Sequence, residues 1–166
     1  MRIRTEDAQR LTDGSGLAAF RRRYRDAIPR YYSGSLHLCV IASLCLALIA
    51  ASLVHIDSPS WWERLLVPAT WIVAHLVEYH AHRGPMHRPW RLLGAVSHRH
   101  VGQHHRVFSD EEMSIGRSVD VRAVLFPPVM QCFFFGLIAL PLGGLVFWFG
   151  GRNAASLYVA TVALYY

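Results

Sequence analysis

Leu36 to Ile56 reads LHLCVIASLCLALIAASLVHI, an unbroken run with no acidic and no arginine side chain. A backbone entering hydrocarbon must satisfy every N–H and C=O within its own segment, which commits such a run to a helix. About twenty apolar residues at roughly 1.5 Å each match the ~30 Å apolar layer of a bilayer. The remainder has the same character. Hydrophobic residues make up 53% of the 166, and mean hydropathy is +0.24. They are blocked into runs and not spaced as one face of an amphipathic helix. The fold class that follows is all-α, an integral membrane helical bundle.

After a turn at Asp57–Ser60, Trp61 and Trp62 open a second span at headgroup level, where indoles are favoured, and it runs to about His82. Val124 to Phe149 is the next apolar run, with Pro127-Pro128 at its start and Pro141 and Gly143-Gly144 inside it. It reads as one kinked span or a span with a re-entrant start. Gly150–Asn153 is a turn, and Ala154–Tyr166 begins a further apolar helix of about 20 Å, short of a full crossing. The expectation is three full transmembrane helices plus a truncated fourth, with the chain ending inside that fourth span.

The net charge of +6 is carried by arginine alone, since no lysine occurs. The arginines flank the apolar runs, as positive-inside topology requires, which argues against nucleic acid as a partner. Residues 1–32 form a polar, Arg-rich segment containing Arg21-Arg22-Arg23 and Arg25, and 33–166 form the membrane domain. Two spans separate this segment from the polar stretch Arg83–Arg122, so both are expected on the cytosolic side. Leu11–Ile28 reads first as a solvated tail that sets orientation, and second as a short surface helix beside anionic lipid. No cleavable signal peptide is expected. The arginine bias suits a GC-rich bacterial genome, hence a bacterial inner membrane. Cys39, Cys45 and Cys132 sit inside apolar runs without CxxC spacing, which gives neither a disulfide framework nor an iron–sulfur site; they read as small buried hydrophobes.

Eight of the ten histidines lie between His75 and His105. His82-Arg-Gly-Pro-Met-His87 is H-x4-H, and His100-Val-Gly-Gln-His104-His105 is H-x3-HH. Five residues of α-helix turn a side chain about 140° away from its partner, so His82 and His87 converge only if Gly84-Pro85 breaks the helix. His100 and His104, four apart, share a helical face and pair on one ion; His105 lies about 100° round and serves a second ion or another side of the site. His80 and His98 read as supporting groups or alternates. Glu78 orients His82 or pairs with Arg83, and Asp110, Glu111 and Glu112 read as a solvated acidic turn before they read as carboxylate ligands. His37 and His55 stand alone at span ends and read as interfacial residues, and His75 also stands apart. An all-imidazole set with no cysteine nearby suits iron, and also zinc or copper.

HRGPMHRP, then SHRHVGQHHRVFSDEEM, then DVRAVLFPP resemble the fatty acid hydroxylase superfamily, the integral-membrane histidine-box di-iron oxygenases that include sterol desaturases, sterol hydroxylases and carotenoid hydroxylases. The resemblance covers roughly Trp71 to Pro128. It implies first-box ligands His82 and His87, second-box ligands His100, His104 and His105, a non-heme di-iron cofactor and a lipid substrate. It further implies O2 as co-substrate and a separate electron-donating reductase. The pattern's third box, H-x2-3-HH, has no counterpart after His105, which implies a partial member of the group. The competing expectation is a non-catalytic, histidine-rich metal-binding membrane protein. A heme protein fits less well, because axial ligands would face each other across the bundle.

Overall fold

A computed structural model gives the fold and describes residues 14–88, 91, 93–108 and 113–166. Among these all regular structure is helical. In chain order the elements are α1 (Gly14–Asp26), α2 (Gly34–Leu53), α3 (Trp61–Arg64) and α4 (Leu66–Ala81). A π-helical turn (His82–Met86), α5 (Gly94–Arg99), a second π turn (His100–His104) and α6 (His105–Val107) follow. Then come a 3-10 turn (Ser118–Asp120), α7 (Val121–Val124), α8 (Pro128–Phe134), a third π turn (Phe135–Ala139) and α9 (Leu140–Tyr165). Asp110, Glu111 and Glu112 lie outside the described residues, as does the start of the Leu11–Ile28 stretch.

The chain forms two compact units, one from residues 1–35 and 82–125, the other from residues 36–81 and 126–166. Among the described residues two helical stretches are long and apolar enough to cross a membrane, by length and composition. They are Gly34–Leu53 (mean hydropathy 2.4) and one within Ser118–Tyr165 (mean hydropathy 2.1). Only 17% of either apolar window is buried, which leaves these side chains facing outward.

The expected second span is interrupted. Pro68 has no N–H to offer the Arg64 carbonyl and its ring crowds that carbonyl, so Trp61–Ala81 divides into α3 and the 16-residue α4. Pro141 has the same effect on Leu137, and there the chain widens into the π turn Phe135–Ala139 and continues helical. The run from Pro128 is therefore a helix with a bulge. The turn at Gly150–Asn153 is present: Gly151 takes φ 81° and ψ −175°, a conformation essentially reserved for glycine.

The two halves of α9 fold back on each other at that residue. A Cβ on Gly143 would lie 3.2 Å from the Val159 side chain, and Phe135 and Ala139 share a buried cluster with Val162 and Ala163. Both sets of contacts are spaced almost evenly about Gly151, as in an antiparallel helical hairpin. Asn153 closes the turn by donating from Nδ2 to the Asp57 carbonyl at 2.8 Å and accepting the Asp57 N–H at 2.9 Å. Gln131, 1% exposed, donates to the Ile41 carbonyl at 3.3 Å. His37, at the start of α2, is buried, and its Nε2 meets the Phe126 carbonyl at 2.9 Å. Cys39 and Cys132 are exposed, not buried, on these outward-facing helices.

In the first unit, the segment from Gly14 is a packed helix and not a solvated tail. Phe20 and Tyr24 of α1 lie against Val107, Phe108 and Ala123. Arg21 donates to the Val107 carbonyl at 2.8 Å, and Arg25 grips both oxygens of Asp120 at 2.8 and 2.7 Å. Burial works to raise the Asp120 carboxyl. The Arg25 fork, the Arg117 N–H at 2.9 Å and the two guanidinium charges outweigh it and hold the group below the ordinary carboxylate range. Arg106 lies 4.0 Å over the Phe20 ring. Arg99 donates to the carbonyls of Arg122 and Leu125, tying α5 to α7. Gly34 admits the closest approach of all: a Cβ there would lie 1.7 Å from the Ser118 carbonyl oxygen.

Candidate metal centre

Both histidine boxes fold as π turns, His82–Met86 and His100–His104. A π turn bonds residue i to i+5, which widens the coil and brings side chains five apart toward one face. His82 and His87 are five apart, and so are His100 and His105. In the first turn Pro85 supplies the cause, because its missing N–H removes an α-helical bond from the ladder. In the second, Gly102 leaves room: a Cβ there would come within 3.2 Å of His98 Nδ1.

The result is a quartet. One ring nitrogen from each of His82, His87, His100 and His105 lies within 4.8 Å of all the others. His100 Nε2 stands 3.1 Å from His82 Nε2 and 3.2 Å from His105 Nε2. Ring centroids are 4.5 Å apart for His82–His87 and 5.1 Å for His87–His105. A tetrahedral ion with bonds of about 2.0–2.1 Å needs ligand nitrogens about 3.3 Å apart. The His100–His82 and His100–His105 separations are already near that value, and every pair lies within 4.8 Å. All four donors are imidazole nitrogens, a set that suits a divalent transition metal. Burial, with the neighbouring His105, His82, His104 and His87, pushes the His100 imidazole down to about 4, so at neutral pH its lone pair is free to bind.

The pairing differs from the sequence expectation. His100 joins His105 and not His104, because the helix is π-wound at this point. His104 stacks on His100 at 5.3 Å and 13°, with its Nδ1 3.3 Å from the Ala123 carbonyl, and stays outside the quartet. His80, Glu78 and His98 also stay outside it. His80 packs edge-on against Tyr79, and Glu78 accepts the Tyr165 hydroxyl instead of orienting His82. His75 bonds the Trp71 carbonyl through Nδ1 at 3.0 Å. The residues that hold the quartet's scaffold, Asp120 on Arg25 and Arg99 on Leu125, gave no local signal, since their partners lie 95 and 26 residues away.

Four histidines thus lie close enough to hold one metal ion, on a basic unit of a helical chain with two membrane-competent stretches. No family model, curated protein or solved structure matches the chain.

Proposed function

We propose that the chain is a membrane-bound non-heme iron oxygenase of the fatty acid hydroxylase type, acting on a C–H bond of a lipid. The observation that carries this reading is the convergence of four imidazoles from two π turns whose sequences are the two histidine boxes. Fifteen of the seventeen arginines lie in residues 1–35 and 82–125, eight in the first stretch and seven in the second. That asymmetry supports a cytosolic placement of the boxes and the N-terminal segment, with three or four helices crossing the bilayer.

His82, His87, His100 and His105 would hold the metal, and His104, bonded to Ala123, would fix the second box against α7. Iron bound there would supply O2 activation and hydrogen removal from an unactivated carbon, with electrons from a separate reductase. The protein's own work is to keep the His100 imidazole neutral, fix the geometry of the four rings and bring a lipid chain to them from the bilayer.

A second reading, a non-catalytic single-ion site such as zinc, is favoured by one feature: four nitrogens on one point close a tetrahedral site with no position left open. One experiment separates the two. The purified protein is loaded with iron(II), given isotopically labelled O2, a chemical reductant and extracted bacterial lipid, and the lipids are read by mass spectrometry. Labelled oxygen or a new double bond in lipid supports the oxygenase. Bound metal with unchanged lipid selects the second reading, and no bound metal of any kind removes both.

A further inference from the structure

The arginines of α1 divide by face. Arg21 and Arg25, one turn apart, point inward to the Val107 carbonyl and to Asp120. Arg23 lies on the opposite side of the helix and Arg22 on its flank; both are exposed, with exposed Asp26 between them. Beyond α1 the chain turns at Pro29–Tyr32 and presents Arg30, exposed, and Tyr31, 90% exposed. Gly34 then begins α2. Tyr31 is three residues from Gly34, at most about 10 Å of chain. The headgroup layer is itself about 5–8 Å deep on each side of the hydrocarbon. Arg30 and Tyr31 are thus held by chain length near headgroup depth, where an amphipathic aromatic ring and a guanidinium are both favoured.

We infer that Arg22, Arg23 and Arg30, with Tyr31 as interfacial anchor, form a binding surface for anionic phospholipid headgroups. Charge complementarity carries the choice of occupant. Within residues 14–35 Asp26 is the one carboxylate against these three exposed guanidiniums, which leaves that stretch net positive at the start of an apolar helix. Guanidinium is suited to forked contacts with phosphate oxygens. The inward arginines hold the fold, while the outward ones are exposed. The surface does not depend on oxygenase chemistry; it rests only on the reading of α2 as a membrane span.

The test uses the full chain in liposomes of phosphatidylcholine mixed with phosphatidylglycerol. The protein is extracted with a lipid-retaining polymer and the retained lipids are quantified by mass spectrometry. The expected result is phosphatidylglycerol enrichment of at least roughly fivefold over bulk, the preference that one surface arginine supplies. R22Q/R23Q/R30Q should return the ratio to bulk, while R22K/R23K/R30K keeps most of the enrichment. R83Q/R88Q, on the other stretch of the same unit, should leave it unchanged. Unaltered thermal unfolding of the triple variant separates lost binding from lost fold. Replacing chloride with inorganic phosphate at matched ionic strength should not change the ratio; collapse of the enrichment would assign the arginines to free phosphate and overturn the proposal. A wild-type ratio equal to bulk also overturns it and points to an acidic protein partner. Failure to float with these liposomes removes the span and the surface together, whereas flotation at the bulk ratio removes the surface alone.

Discussion

Replacing His105 should cost far more metal affinity than replacing His104, although the two are adjacent and α-helical spacing argues the reverse. In an α-helix His104 pairs with His100 and His105 turns about 140° away. In the π turn it is His105 that stands 3.2 Å from His100 Nε2, while His104 reaches for Ala123. His105→Ala removes one of four donors outright. His104→Ala removes a group that stacks on His100 and pins the turn, a supporting role of the kind that costs about 10–100-fold in affinity. We therefore expect His105→Ala to weaken binding by more than about 100-fold and His104→Ala by less. A competition titration with a chelator of known affinity, using zinc(II) and iron(II) separately, measures both. His87→Ala should fall with His105→Ala, and His37→Ala should match the wild type. If His104→Ala lost as much metal as His105→Ala, or more, the π-wound pairing would be refuted and the i,i+4 pairing restored.

Three further outcomes follow from the packing. Gly34→Ala places a methyl 1.7 Å from the Ser118 oxygen; the backbone must move, and thermal unfolding in detergent should show a loss of about 1–3 kcal/mol. Gly151→Ala forces a side chain into a glycine-only conformation and should cost about 1–3 kcal/mol in the same assay, with the hairpin of α9 loosened. Asp120→Asn leaves Arg25 without its carboxylate and should cost on the order of 3 kcal/mol, the lower end for a buried pair because Arg25 keeps 24% exposure. Because the folded Asp120 titrates below its unfolded value, its contribution is complete above about pH 4 and is lost as pH falls through the folded value. Wild-type stability measured against pH should thus decline more steeply below about pH 4 than that of Asp120→Asn.

Much of the outline was legible because it is local. The all-helical class follows from apolar runs that leave the backbone no other partner. Gly151 reverses the chain where glycine, arginine and asparagine punctuate the apolar run. The histidine region stands out by composition, and four of its members come together. The pairing within it was hidden because periodicity arguments assume 3.6 residues per turn, and nothing about His100 or His105 alone announces a wider coil. Pro85 and Gly102 were the available clues. The break between α3 and α4 was likewise written in Pro68, a residue easily passed over inside an apolar stretch. What no local pattern could supply was the role of α1. Arg21 and Arg25 look like two more members of a solvated basic cluster until Val107 and Asp120 arrive from 86 and 95 residues away. The same distance conceals Glu78, whose partner Tyr165 lies 87 residues on.

The interleaving of the two units sets an order of events during synthesis. α2 is complete once 53 residues have been made, but Arg25 cannot find Asp120 until 95 more residues have followed it. At roughly 5–20 residues per second that wait is about 5–19 s. Within that interval His105, the last of the four clustered histidines, is made 15 residues before Asp120, and Val107, against which Phe20 and Tyr24 pack, is made 13 before it. The metal quartet therefore cannot form before residue 105 of the 166 has been made. A nascent chain cleaved between Ala81 and His105 leaves an apolar helix already made and a metal site that lacks donors.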